Sequence, residues 1–299
     1  MKLNNPVLRS ELKVKMRSFR TILGIILYVG ILVFIASLYY SIASQNRGYG
    51  YGAINANREL GSTLYTLIAI FQFALIMVIA PAQTSGAISG ERERQTLDLL
   101  LCTRMSAFEI IVGKLISSLA FILLLVVSSL PLFSLVFLFG GITPGDLITL
   151  FFFYIIIAMA VGSISIFFST VFKRTMVATV VTYAVIFAWY VLTLIISIYL
   201  MSRHYMDPNA SAQYVPKILY LNPMFGLGDI ISRQLGADAQ AGFRSFFGLR
   251  MGGSGQVPNI SINPWIANVT LMFILTGIMI TISSIRIRPV RIHRNMGRK

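Results

Sequence analysis

Five charged residues crowd into Glu91–Asp98 of a 299-residue chain in which only 12% of residues are charged. The block reads Gly90-Glu91-Arg92-Glu93-Arg94-Gln95-Thr96-Leu97-Asp98-Leu99-Leu100-Leu101 and succeeds a run, Leu60 to Gly90, with no charge in it. An ionised group at the centre of a bilayer costs about 2.5–3.5 kcal/mol even on a lenient insertion scale. The block therefore belongs in water or against another protein, and it reads as the surface through which a membrane protein is driven.

Other chemistries call for residue patterns that are missing. A nucleotide-phosphate loop requires G-x-x-x-x-G-K-[ST], but Gly113-Lys114 has Phe108 at the first glycine position and Leu115 after the lysine. His204 and His293 fall on opposite sides of the membrane in the topology that Lys and Arg placement gives, so they cannot share a zinc ion. Cys102 is the single cysteine, which excludes an intrachain disulfide and a cysteine metal cluster. Ion-coupled carriers place ionisable groups within their spans, and no Asp or Glu lies mid-span here. These absences disfavour self-powered transport and membrane catalysis. The reading is of a non-enzyme that binds no cofactor or metal of its own.

The elements that must carry the charged block are helices. The chain is 56% hydrophobic, with a mean hydropathy of +0.78, far from soluble usage. A helix needs about 20 mostly apolar residues to cross the hydrocarbon core. Six such segments are predicted, at 21–42, 62–80, 115–139, 147–172, 176–201 and 266–285. Their apolar runs are continuous, not the alternating segments of about ten residues found in membrane barrels. The predicted fold class is an all-α integral membrane protein of one domain over 1–299. Residues 1–20 form a cytoplasmic amphipathic helix, 21–201 hold spans one to five, 202–264 are an outer loop, and 265–299 hold span six and a basic tail. For the N-terminal stretch, Leu8, Leu12, Met16 and Phe19 at helical spacing suit an interface helix, with a plain basic flank as the alternative.

Lys and Arg placement sets the orientation. Lys2, Arg9, Lys13, Lys15, Arg17 and Arg20 precede span one, and Arg286, Arg288, Arg291, Arg294, Arg298 and Lys299 lie at or beyond the end of span six. Arg92, Arg94, Arg104 and Lys114 lie in the second connection and Lys173-Arg174 in the fourth. Both termini are thus expected in the cytoplasm of a multi-pass cell-membrane protein. The net charge of +15 then reflects attraction to anionic lipid headgroups. No soluble basic module is present to bind nucleic acid. Ala43–Gly61 reads as an outer loop, Ile142-Thr143-Pro144-Gly145-Asp146 as a tight outer turn, and Lys173-Arg174 as the short turn of a hairpin between spans four and five. The outer connection is too long to lack structure, and 216–235 is expected to form short helices at the outer mouth.

Pro81–Ser89 has the small and kinking residues of a helix leaving the bilayer. The next segment, GERERQTLDLLLCTRMSAFEIIVGKL, resembles the junction in permease subunits of type-2 ATP-binding-cassette exporters. There a glutamate-containing charged segment, Thr-Leu-Asp/Glu-Leu-Leu, a break and an aliphatic run ending in Gly-Lys form the inner connection with its coupling helix. Thr84-Ser85-Gly86-Ala87 and Ile110-Ile111-Val112-Gly113-Lys114 fit the same pattern. Arg104-Met105-Ser106 departs from it, since relatives often break with a proline.

The resemblance implies a cytoplasmic coupling helix over about 95–103, docked on a separate ATPase subunit that holds ATP and magnesium. Leu97, Leu100 and Leu101 would supply its buried stripe, and Asp98 with Glu91, Arg92, Glu93 and Arg94 its rim. Glu91 and Glu93 could pair with basic ATPase residues, with Arg92 and Arg94, or with the N-terminal helix; solvated anchors at the membrane surface are the plain alternative. The resemblance also implies a second permease copy or a related chain, with a pathway lined by spans two and five. Thr63, Thr66 and Gln72 in span two and Thr179, Thr182, Trp189, Tyr190, Thr193 and Ser197 in span five are the candidates. Helix packing is the competing role for their hydroxyls. An uncharged aromatic lining suits an amphipathic or hydrophobic cargo such as a drug, peptide or lipid. A membrane scaffold or sensor using the same ATPase partner is the alternative function.

Overall fold

Six helices in the computed structural model are long and apolar enough to cross a membrane. The structure describes residues 19–45, 53–97, 106–137, 139, 142–205, 216–236 and 263–287. In chain order the elements are α1 (Phe19–Gln45), α2 (Ala53–Thr84), α3 (Ser89–Glu93), α4 (Ala107–Ser128), α5 (Leu130–Phe137), α6 (Pro144–Val171) and α7 (Thr175–Tyr205). A 3-10 turn (Lys217–Leu221), α8 (Pro223–Leu235) and α9 (Pro264–Ile287) complete the order. No strand occurs among the described residues, so the all-α membrane class holds. The basic stretch before Phe19, including its predicted interface helix, and the tail after Ile287 lie outside them.

The fourth span, α6, is the centre of the bundle. It packs against α2, α4, α7, α8 and α9, and 67% of its most apolar window is buried, against 11% for α1. Small side chains make this possible, because in a membrane, helices associate by close packing and not by hydrophobic exclusion. At Gly162 an added Cβ would stand 3.0 Å from Leu115 Cδ1 and 3.5 Å from Thr84 Cγ2. Glycine there admits α4 and α2 together. The outer end of α6 is fixed by a capping box in which Thr143 and Asp146 exchange hydrogen bonds, with Pro144 opening the first turn. That is the tight turn expected from the sequence.

Helix boundaries depart from the apolar runs in three places. The expected outer loop at Ala43–Gly61 is partly helix, since α2 already begins at Ala53; its first turns carry polar residues that a hydropathy pattern does not register. The third span is broken at Ser129 into α4 and α5. Pro131 explains the break, since it has no N–H to give and its ring crowds the carbonyl one turn back. The outer connection holds a 3-10 turn and α8, as expected, and both are built into the bundle. The fifth span, α7, has 31 residues, about 46 Å at 1.5 Å per residue. The hydrocarbon core is about 30 Å thick, so α7 stands well clear of it. Asn222, which joins the 3-10 turn to α8, donates from Nδ2 to Thr193 Oγ1 at 3.0 Å. Thr193 lies about 27 Å along α7 from Thr175, which seats α8 toward the end of the bundle opposite the start of α7.

Candidate coupling site

The second span reaches Thr84 through an interior Pro81, turns at 85–88, and continues as α3 beneath the bundle. A serine of α6 and a threonine of α7 clamp the turn. Ser169 Oγ, on α6, accepts hydrogen bonds from the Ile88 N–H at 3.0 Å and the Ser89 N–H at 2.9 Å. Ser85 Oγ pairs with Thr179 Oγ1 on α7 at 2.7 Å. Gly86 and Gly90 pack on the Thr175 methyl, at 3.9 Å and 3.6 Å from where a Cβ would sit. The small-residue spacing of span four suggests packing alone for Ser165 and Ser169, which understates Ser169.

Three consecutive charged side chains of α3 then reach three different spans. Glu91 Oε1 accepts from Lys114 Nζ of α4 at 3.0 Å, with the lysine side chain 5% exposed and the carboxylate 28%. Its other oxygen accepts from the Thr96 hydroxyl. Arg92 donates from Nη1 to the Phe172 carbonyl at 3.2 Å and from Nη2 to the Thr170 carbonyl at 3.3 Å, at the C-terminal end of α6. A cation there satisfies orphan carbonyls and complements the helix dipole. Glu93 does the converse for α7, accepting from the Thr175 N–H at 2.8 Å and the Thr175 hydroxyl at 2.9 Å. The preceding Arg174 has no side-chain acceptor to cap α7, and Glu93 supplies one from another segment.

Among the described residues Glu91 thus pairs with Lys114 and Glu93 with Thr175, while the Arg94 charge also favours the Glu91 carboxylate. Arg94 is exposed. Beyond it α3 closes in a Schellman motif, with the Thr96 N–H donating to the Glu91 carbonyl at 2.9 Å and the Gln95 N–H to the Arg92 carbonyl at 3.1 Å. Gln95 sits at φ 57, in the left-handed region. It ends α3, so the coupling helix predicted from Gln95 cannot begin there; helical backbone resumes at Leu97. Leu97 is buried in this chain's own core. Asp98, Leu100 and Leu101 lie outside the described residues. On the far side of 98–105, Ser106 and Glu109 form a capping box that starts α4, so Ser106 supplies the break that the sequence lacks a proline for.

The residues proposed for a pathway are mostly engaged inside the chain. Thr182, Thr193 and Ser197 are buried, and each hydroxyl donates to a carbonyl of its own helix one turn back. Thr179 meets Ser85, and Tyr190 reaches Met77 Sδ at 3.4 Å with its ring 6.4 Å from Phe73 on α2. Trp189 stands edge-on to Tyr190 at 6.2 Å. Gln72 accepts from Ser129 Oγ at 3.0 Å, beside the break in span three. Thr63 and Thr66 bond back to α2 itself, at Glu59 and Ser62. The opposite face of α7 is bare and apolar, carrying Met176, Val180, Phe187, Ile195 and Ile198.

The chain thus has six membrane-length helices, the second of which ends in a charged junction. The family model of the ABC-2 family transporter protein matches residues 6–286. The chain belongs to that family. No curated protein matches it. As an ABC-2 chain it is the membrane component of an ABC transporter, and family membership implies an ABC ATPase subunit as partner.

Two asparagines not singled out from the sequence hold the outer side of this ABC-2 chain. Asn222 anchors the 3-10 turn to α7, and Asn268 Nδ2 on α9 donates to the Tyr220 carbonyl at 2.7 Å and to the Asn222 carbonyl at 3.1 Å. Tyr65 on α2 donates to Gln234 Oε1 of α8 at 2.5 Å, and Gln234 Nε2 donates to the Asp146 carbonyl at 2.9 Å. The Tyr220 phenol is pushed above its ordinary pKa, by burial first and by the Asp229 charge second, so it stays neutral. A lone Asn in an otherwise apolar stretch was the available signal for both asparagines.

Proposed function

We propose that this ABC-2 chain is the membrane-spanning subunit of an exporter in the cell membrane, driven by a separate ATPase that binds ATP and magnesium. One observation carries the reading: the second span does not end in water but continues into α3, whose side chains hold the inner ends of α4, α6 and α7. A partner couples to transport only if it binds two states of the permease differently. The segment from Leu97 through Asp98, Leu100 and Leu101 is the proposed docking element, and displacement there passes directly into three spans. The pathway is proposed to lie along α7, at an interface with a second permease. Its bare apolar face and the flanking Trp189 and Tyr190 suit an amphipathic or hydrophobic cargo. Thr182, Thr193 and Ser197 are buried and join the lining only when α7 parts from its neighbours in the bundle.

The test is cargo-stimulated ATP hydrolysis in the reconstituted complex. Hydrolysis should rise with amphipathic cargo, and Leu100→Asp should abolish that rise by placing a charge on the docking face. Hydrolysis indifferent to every such cargo, with no accumulation in vesicles, would favour the scaffold or sensor.

A further inference from the structure

Glu93 stands apart from its neighbours in what it holds. Glu91 and Arg92 bind the inner ends of α4 and α6, which are among the most buried spans. Glu93 binds the first residue of α7, a span of which only 22% of the most apolar window is buried. Few contacts join α2 to α7 within the bilayer, and they are spaced along it: Phe73 and Met77 with Tyr190, the Val78 carbonyl with the Tyr183 hydroxyl at 2.5 Å, and Ser85 with Thr179. α7 also packs on α6, but its other face is bare, and a helix open on one face can be moved from its end. Two charge-assisted hydrogen bonds onto one N-terminal residue provide such a grip, and the helix dipole strengthens it.

We propose that Glu93 is the positioning residue that ties the coupling segment to the fifth span, so that displacement of α3 by the ATPase moves α7 through the Glu93–Thr175 clasp. The proposal rests on the exporter reading for its driving partner, but the movement it describes does not require cargo. Glu91–Lys114 and Arg92 hold α3 to the bundle, and Glu93 is the arm that reaches the largely exposed fifth span.

Two substitutions open the clasp from opposite sides. Glu93→Ala removes both acceptors. Thr175→Pro removes both donors, and proline is well accepted at the first position of a helix. Single cysteines at Phe108 and Met176, both exposed, in a Cys102→Ser background carry spin labels on the inner ends of α4 and α7. In the purified complex with its ATPase, ATP and magnesium should shift the distance between these labels. Glu93→Ala, Thr175→Pro and the double variant should abolish the shift equally, and Glu93→Gln, which keeps one acceptor, should retain part of it. Cargo moved per ATP should fall at least about five-fold in the same variants, the lower end of typical coupling factors. A shift that survives in either variant, or is absent from the parent, overturns the clasp. So does a loss of yield and thermal stability with the shift intact. A shift that depends on Glu93 in a complex that moves no cargo would leave the clasp standing and remove the exporter reading.

Discussion

Gln95 is the only described residue other than glycine with a positive φ. It occupies the position of a Schellman motif that glycine usually fills, because a Cβ in the left-handed region meets the neighbouring carbonyl. Gln95→Gly should therefore raise stability by about 1 kcal/mol, seen as a higher unfolding midpoint of the purified chain. Glu91 and Lys114 give a second test at the same scale. Removing the carboxylate takes the Glu91 partner from a nearly buried ammonium, and Glu91→Ala should cost about 2 kcal/mol, below the range of about 3–5 kcal/mol for fully buried pairs because the carboxylate is partly exposed. The double variant Glu91→Gln with Lys114→Met should recover most of that loss, measured on the same unfolding curve; a double variant no better than the single would show that the pair is not the source. The weight of Glu91 and Glu93 was legible in the sequence, since charge is scarce and they are clustered. Their partners were not, because Lys114 lies 23 residues on and Thr175 lies 82 residues on, and only tertiary packing brings them near.

Elements were legible where apolar length decides them and obscure where polar residues extend them. Hydropathy sees the membrane-facing part of α2 but not its first turns at Ala53, nor its passage through Pro81. The hairpin of α6 and α7 was legible because Lys173-Arg174 leaves no room for anything but a turn. The break at Ser129 was hidden inside an unbroken apolar run, although Pro131 marked it. There the Ser129 hydroxyl bonds Gln72, while Gln72 Nε2 has no partner among the described residues. The seating of α8 could not be read from sequence, since it depends on a close approach to α9. At Gly226 a Cβ would come within 2.9 Å of Asn268 Cγ and Oδ1. Gly226→Ala should displace Asn268 from the Tyr220 and Asn222 carbonyls and cost about 1–3 kcal/mol, as overpacking typically does. Faster hydrogen exchange in 217–235, with the inner ends of the spans unaffected, is the expected signature. Unchanged protection there would show that α8 is held elsewhere.

At the scale of the molecule, α3 and α8 lie at opposite ends of the bundle, and the positive-inside pattern predicts that the α3 end faces the cytoplasm. In a Cys102→Ser background, single cysteines at Asn57 and Ser211 should react with an impermeant maleimide on intact cells, and one at Gln95 should not. Labelling at Gln95 without labelling at Ser211 would invert the molecule. The central place of α6 has a further consequence, for the order in which the chain can be made. Spans enter the bilayer in sequence, but α1, α2 and α4 leave the ribosome before the helix that α2 and α4 pack around. Insertion and packing are thus separated in time: the first three spans can pack on one another, but the faces that α6 covers stay unmatched until residue 171 has been synthesised. The nascent chain is most exposed to membrane quality control over that interval, and Gly162, where three helices meet, is where biogenesis would fail first.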